Sequence, residues 1–303
     1  MSDAPLVSVI IPAHNAERTI RNAVESVLRQ TVSDLEVIVV DDASTDGTAG
    51  AVGRIHDSRV RLLVTEHNLR QAAARNLAMK CAKGKWVAFL DADDEWVADR
   101  LEFLIGAVVG TPTGFIVDLT AKSVPGPGGR LVPIAHPDAP QRMSTEEFGL
   151  TEYLNLAMDV KPMVLREVLL RQGIEFPEWG SCGDWLFLIA SLSANGVRGR
   201  LVRRVGYLYR TTGRHDSSTL RGIEEQLKVQ QFLVEDTRIP EGTRERLRQG
   251  VKGIRSRLVV AALRERRWRK FMYYARQNPS DCLIVPASVL RFAWRKIRYG
   301  IVS

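Results

Sequence analysis

Cysteine is scarce in this chain, with only Cys81, Cys182 and Cys282 among 303 residues. They are odd in number and form no Cys-x-x-Cys pair, which argues against a disulfide framework or a zinc site and for free thiols in a reducing compartment. Cys182 has no His or other activating group beside it, so a nucleophilic thiol is not indicated. No apolar run approaches the roughly 20 residues that span a bilayer. The opening Met1-Ser2-Asp3-Ala4-Pro5 carries no basic region, and Pro12, His14 and Asn15 interrupt the apolar residues that follow. No signal peptide is read there, and a soluble, cytoplasmic body is expected. The chain also lacks a Gly-rich turn after its first apolar run, where Pro12-Ala13-His14-Asn15 stands instead. That disfavours a dinucleotide-dependent dehydrogenase. Internal repeats and low-complexity segments are absent.

A hydrophobic content of 45% and a charged content of 26% are those of a globular protein, with room for one large or two ordinary domains. The net charge of +8 is unevenly distributed. From Arg221 onward there are 19 Lys plus Arg against 8 Asp plus Glu, a net of +11, while residues 1–220 carry 24 against 27, a net of −3. Basicity therefore belongs to the tail and to whatever surface the tail meets. Its aromatics cluster with apolar residues at helical spacing, unlike a base-stacking surface, so nucleic acid is not the expected partner.

Val7-Ser8-Val9-Ile10-Ile11-Pro12 reads as a buried first strand. Asn15 is placed to cap a helix over 16–30, in which Ile20, Val24, Val27 and Leu28 recur at helical spacing. Leu35 to Val40 predicts a second strand, Val60 to Val64 a third and Trp86 to Leu90 a fourth, with an Ala-rich helix over 72–83 ended by Gly84. This alternation implies an α/β fold built on a doubly wound, mostly parallel sheet with helices on both faces. Pro and Gly crowd the stretch from Thr111 to Met143, which reads as irregular or hairpin-like. Helices are expected at 144–153 and 184–195, a strand from Val202 to Arg210, and an all-helical region beyond Arg221 punctuated by Pro240 and Pro286.

The strand from Trp86 ends in Leu90-Asp91-Ala92-Asp93-Asp94. Strand residues two apart share a face, so Asp91 and Asp93 offer hard oxygens to one divalent cation, the outline of a metal and diphosphate site. The second strand likewise ends in Asp41 and Asp42, and the carboxyl ends of strands are where ligands bind in open α/β sheets.

Four pieces, Ser8-Val9-Ile10-Ile11-Pro12-Ala13-His14-Asn15, Val39-Val40-Asp41-Asp42-Ala43-Ser44-Thr45-Asp46-Gly47-Thr48, Ala74-Arg75-Asn76 and Phe89-Leu90-Asp91-Ala92-Asp93-Asp94, occur in order and together resemble the family-2 glycosyltransferases of GT-A fold. The resemblance is strong over 7–100, weaker over 180–220 and absent beyond. It implies a nucleotide-sugar-binding half at 1–110, an acceptor-side half at 111–220 and a basic helical region at 221–303. It implies inverting transfer of a sugar from a nucleotide-diphosphate donor to an acceptor hydroxyl, saccharide or lipid-linked, with Mg2+ or Mn2+. Pro12, Ala13, Asp41 and Asp42 would contact the base and ribose, Arg75 the nucleotide or its phosphates, and Asp91 the ribose or a water on the metal. Asp93 would ligate the metal directly, and His215 is a further candidate contact to metal or phosphate.

Family members usually open an acceptor-side helix with Glu-Asp, whereas this chain reads Gly183-Asp184. Asp184 is retained as the candidate general base, flanked by Trp179 and Trp185, and the missing carboxylate motivates an alternative reading as an inactive nucleotide-sugar-binding relative. Relatives also tend to have Gly where this chain has Arg70. In the tail, Leu290, Trp294, Ile297 and Ile301 recur at helical spacing beside Arg291, Arg295, Lys296 and Arg298, a pattern suited to an anionic membrane surface.

Overall fold

The computed structural model describes residues 4–134, 144–156, 160–177, 183–211 and 219–277. These divide into two units, one of residues 1–178 with 184–212 and the other of 179–183 with 213–303.

The first unit is built on one sheet. In chain order it contains β1 (Val7–Ala13), α1 (Ile20–Leu28), β2 (Leu35–Asp41), α2 (Thr48–Gly53), β3 (Val60–Val64), α3 (Arg70–Cys81), β4 (Trp86–Phe89), β5 (Glu95–Trp96) and α4 (Arg100–Val108). There follow β6 (Phe115–Pro125), β7 (Leu131–Pro133), β8 (Thr145–Phe148), α5 (Leu150–Asn155), β9 (Met163–Leu165), α6 (Arg166–Gln172), α7 (Asp184–Ala194) and β10 (Gly199–Arg210). The strand order is β3-β2-β1-β4-β9-β6-β10-β5, with β7 on β6 and β8 on β10. Pairing is parallel through β3, β2, β1 and β4 and again between β6 and β10, and β9 is antiparallel to both its neighbours.

The run of β-branched residues in β1 and β2 is explained by burial on both faces. Val7, Val9 and Ile11, with Val37 and Val39, pack on one side against Ile20, Val24 and Val27 of α1. Ile10, Ile38 and Val40 pack on the other against Ala74 and Ala78 of α3. The register sets Ala13 opposite Asp41 and Ile10 opposite Phe89, so the residues following β1, β2 and β4 emerge at one end of the sheet.

Two expectations are corrected and two are filled in. Asn15 is not a helix cap: it adopts φ 51°, its Oδ1 accepts the Thr45 N–H at 2.9 Å, and α1 begins only at Ile20. The stretch from Thr111 holds the long strand β6, whose strand character at Phe115-Ile116-Val117 the flanking Pro and Gly obscure, and β7 pairs back on its end as the hairpin expected there. Residues 145–148 form β8 on the edge of β10, so the helix expected from Ser144 starts at Leu150. The halves drawn at 1–110 and 111–220 share a single sheet, joined where β9 pairs with β4.

The second unit's described helices are α8 (Leu220–Glu235), α9 (Glu241–Arg264) and α10 (Trp268–Gln277). Thr219 caps α8 by accepting the Gly222 N–H at 3.0 Å. Leu220, Ile223, Ile254, Leu258, Trp268 and Phe271 form its core, and Glu224 of α8 accepts Lys270 Nζ of α10 at 2.7 Å. No described helix is long and apolar enough to cross a membrane. The amphipathic pattern beyond Pro286 lies outside the described residues, as do Trp179, Cys182 and His215.

Candidate active site

The site grows from the chain leaving β4. Asp91, Asp93 and Asp94 sit within four residues, yet their surroundings differ. Asp91 is held from three sides: Oδ1 accepts Arg75 Nη2 at 2.8 Å and Gln71 Nε2 at 3.1 Å, and Oδ2 accepts Lys161 Nζ at 2.8 Å. Burial works to raise its pKa, but the Lys161 and Arg75 charges outweigh it and hold the carboxyl at about 2. Asp94 accepts the Tyr207 hydroxyl at 2.8 Å and the Arg210 N–H at 2.8 Å. Burial, reinforced by the neighbouring Asp91 and Asp93 charges, pushes its carboxyl well above the usual aspartate range. Asp93 is exposed, and no other described residue donates a hydrogen bond to its carboxylate. Its backbone carbonyl is fixed by Arg210 Nε at 2.7 Å.

Arg75, expected to face phosphate, is instead 1% exposed. Its guanidinium joins Asp91 to Asp184, donating to Asp184 Oδ2 through Nη1, and lies 4.4 Å from the Trp185 ring centroid. The reason is electrostatic: an Arg on a buried helix face needs carboxylate partners, and the planar fork can serve two at once. Asp184 opens α7, and its other oxygen accepts the Trp185 N–H at 3.0 Å. Burial pushes the Asp184 carboxyl above the ordinary range, against the pull of Arg75 and Lys161. Gly183, just before it, has φ 94°, a conformation that a Glu at this position would resist.

Asp41 and Asp42 form a separate network at the end of β2. Asp42 accepts the N–H groups of Leu69 and Arg70, both at 2.7 Å, and so shapes the loop before α3. Asp41 accepts the Ser44 N–H at 3.1 Å. Both carboxylates are buried, and Asp42 also accepts the Thr65 hydroxyl at 3.2 Å. Pro12 and Ala13 stand beside them at the end of β1.

Lys161 was not anticipated. A single Lys in the apolar run Val160-Lys161-Pro162-Met163-Val164 is the signal that could have revealed it, since a buried ammonium requires a carboxylate. Its carbonyl accepts Arg100 Nη2 at 3.1 Å, and Arg100 is pinned by a two-pronged pair with Asp118 at 2.9 and 2.7 Å, both residues being fully buried. Tyr207 closes the arrangement: its hydroxyl accepts the Asp91 N–H at 3.1 Å while donating to Asp94.

Residues 8–168 match the family model for glycosyl transferase family 2, more than half of the chain. The chain belongs to that family. The UDP-Glc:alpha-D-GlcNAc-diphosphoundecaprenol beta-1,3-glucosyltransferase WfgD of Escherichia coli is 44% identical over 114 residues, 38% of this chain and 45% of that protein. The succinoglycan biosynthesis protein ExoO of Rhizobium meliloti is 33% identical over 210 residues, 68% of this chain and 60% of that protein. The chain thus spans about half the length of these relatives. Among solved structures, S. aureus TarS 1-349 in complex with UDP-GlcNAc superposes with a TM-score of 0.64 at 20% identity, covering 93% of this chain and 76% of that one. The Pyrobaculum calidifontis mannosyltransferase PcManGT in complex with GDP-Man and Mn2+ gives 0.60 at 19% identity, covering 100% and 82%. The fold of this family-2 chain is accordingly GT-A, with a mixed sheet followed by a helical region.

The residues present fit a divalent cation in a limited way. Asp93 offers an open hard-oxygen ligand, and Asp91 and Asp94 are taken by protein donors. No group of three His, Cys, Asp or Glu capable of holding a metal occurs among the described residues. Any further ligands would come from a bound diphosphate.

Proposed function

We propose that this protein is an inverting, metal-dependent glycosyltransferase that moves a sugar from a nucleoside-diphosphate donor to a hydroxyl of a saccharide or lipid-linked acceptor in polysaccharide or glycolipid synthesis. The observation that carries this reading is the buried Arg75 bridge between Asp91 at the carboxyl end of β4 and Asp184 at the start of α7, with Asp93 open beside it. One side holds the groups for a donor and the other a base for an acceptor. Family membership supports the activity, and the likeness to WfgD and ExoO supports a surface-glycan setting and a lipid-diphosphate acceptor.

Asp184 takes the proton of the acceptor hydroxyl as that oxygen attacks the anomeric carbon from the face opposite the leaving diphosphate. A carboxyl raised by burial is a stronger base than an exposed aspartate, and Arg75 fixes its direction. Asp93 would hold Mg2+ or Mn2+, which when bound supplies Lewis-acid stabilisation to the departing nucleoside diphosphate. Pro12, Ala13 and the loop shaped by Asp41 and Asp42 form the side on which base and ribose are received. The absence of a second carboxylate at position 183 motivates the alternative of a donor-binding protein without transfer activity.

Transfer assays over a panel of nucleotide sugars and acceptors decide between these. Asp184→Asn is expected to lower turnover roughly a hundredfold or more with donor affinity nearly unchanged. Donor binding by the unaltered protein with no transfer to any acceptor would favour the inactive reading.

The second unit gives a basis for peripheral attachment to an anionic, cytoplasmic membrane surface. Arg266, Arg267 and Arg269 are exposed at the junction of α9 and α10, with Arg276 and Tyr273 exposed on α10 itself. Each cation near an anionic surface contributes on the order of 1 kcal/mol.

A further inference from the structure

Asp91 is the first carboxylate of an Asp-x-Asp, and a metal would be attracted to it unless something stood in the way. Its two oxygens are held differently. Among the described residues, Oδ1 accepts from Arg75 and Gln71, and Oδ2 accepts from Lys161 alone. Arg75 is not easily displaced, because it also pairs with Asp184 and lies against the rings of Trp185 and Phe176, at 4.4 and 5.4 Å from their centroids. Lys161 has one carboxylate partner, and its ammonium lies over Trp185 at 4.8 Å and Tyr207 at 5.6 Å. Its backbone is held by Arg100, itself locked to Asp118. A divalent cation placed on Oδ2 would therefore meet a fixed ammonium in a poorly solvated site, where like charges repel strongly.

We propose that Lys161 is a positioning residue that withholds Asp91 from the metal, so that the free protein grips a divalent cation through Asp93 and gains its other ligands only with the donor's diphosphate. Resting on the reading of Asp93 as metal ligand, the inference adds an order to the reaction: metal and nucleotide enter as one unit. Lys161 supplies the cation that Asp91 would otherwise seek from solution. It also keeps Asp91 oriented toward Arg75 and hence toward Asp184.

The test is Mn2+ binding to the full chain without nucleotide, followed by the paramagnetic resonance signal of free Mn2+ and repeated with UDP or GDP present. The unaltered protein is expected to bind Mn2+ weakly alone and at least tenfold more tightly with a nucleoside diphosphate. Lys161→Met, similar in length but uncharged, is expected to raise affinity for Mn2+ alone by tenfold or more and to shrink the nucleotide effect. Lys161→Gln keeps a donor toward Asp91 and provides a second uncharged variant should the methionine disturb folding, and Lys161→Arg should restore weak binding. Adding Asp91→Asn to Lys161→Met should abolish the gain. Unchanged affinity in the folded uncharged variants, or a gain that survives Asp91→Asn, overturns the inference. Failure of the unaltered protein to bind Mn2+ even with nucleotide would instead remove the metal assignment of Asp93.

Discussion

Arg75 donates to two carboxylates, Asp91 and Asp184, and its Nε finds no hydrogen-bond partner among the described residues. It therefore links the donor-side acid to the candidate base, and the two carboxyls are shifted in opposite directions. Burial raises Asp184, so ionised base is lost as the pH falls through a value above the usual aspartate pKa of about 3.9. Asp91, with its pKa lowered to about 2, contributes stability that is present above about pH 4 and disappears only as the pH falls through about 2. Turnover should thus decline on the acid side while circular dichroism still reports folded protein. A rate profile flat down to pH 4 would remove Asp184 as the titrating base.

At the scale of elements, two backbone positions carry strain or crowding that can be measured. Arg70 opens α3 at φ 73°, held there by its N–H bond to Asp42, where a glycine would sit without steric cost. Arg70→Gly should stabilise the protein by about 0.5–1 kcal/mol, the left-handed penalty less glycine's extra entropy cost, read as a rise in melting temperature of a few degrees. Gly206 on β10 is the opposite case: a Cβ there would lie 2.1 Å from Asp118 Oδ2 and 2.7 Å from the Phe103 ring. Gly206→Ala should displace the fully buried Arg100–Asp118 pair and cost roughly 3 kcal/mol or more in chemical denaturation.

These elements also show what the sequence could disclose. The strands β1, β2 and β4 were legible because β-branched residues buried on both faces leave a continuous apolar run, and because Asp91 and Asp93 follow one of them directly. β6 was hidden by the prolines and glycines around it, and β8 by its four-residue length. Asp184 could be found from its neighbours in sequence. Its link to Arg75 could not, nor could Lys161 and Tyr207 on Asp91, because those contacts join residues 70 to 116 positions apart and depend on the pairing of β9 and β10. The carboxylate partners of Arg75 stay hidden for the same reason, since an arginine on an Ala-rich helix has no visible partner until the sheet is assembled.

For the whole molecule, charge separates the two units of function. The net charge is +11 from Arg221 onward against −3 before it, and the proposed membrane attachment would act through this basic part of the chain. The full chain should sediment with anionic but not neutral vesicles at low salt, and raising ionic strength to about 0.5 M should release most of it as screening shortens the reach of the charges. Sedimentation insensitive to salt and lipid charge would point to apolar insertion instead.

The β9 seam has a further consequence, for the chain as it is made. β4 ends at Phe89 and β9 begins only at Met163, so at roughly 5–20 residues per second the ribosome needs about 4–15 s to supply the second after the first. During that interval β4 has β1 on one side and an open row of N–H and C=O groups on the other, because β9 has yet to arrive. The pocket is therefore finished after the strands that begin it, and the bare edge of β4 is the surface that a nascent-chain chaperone would have to shield.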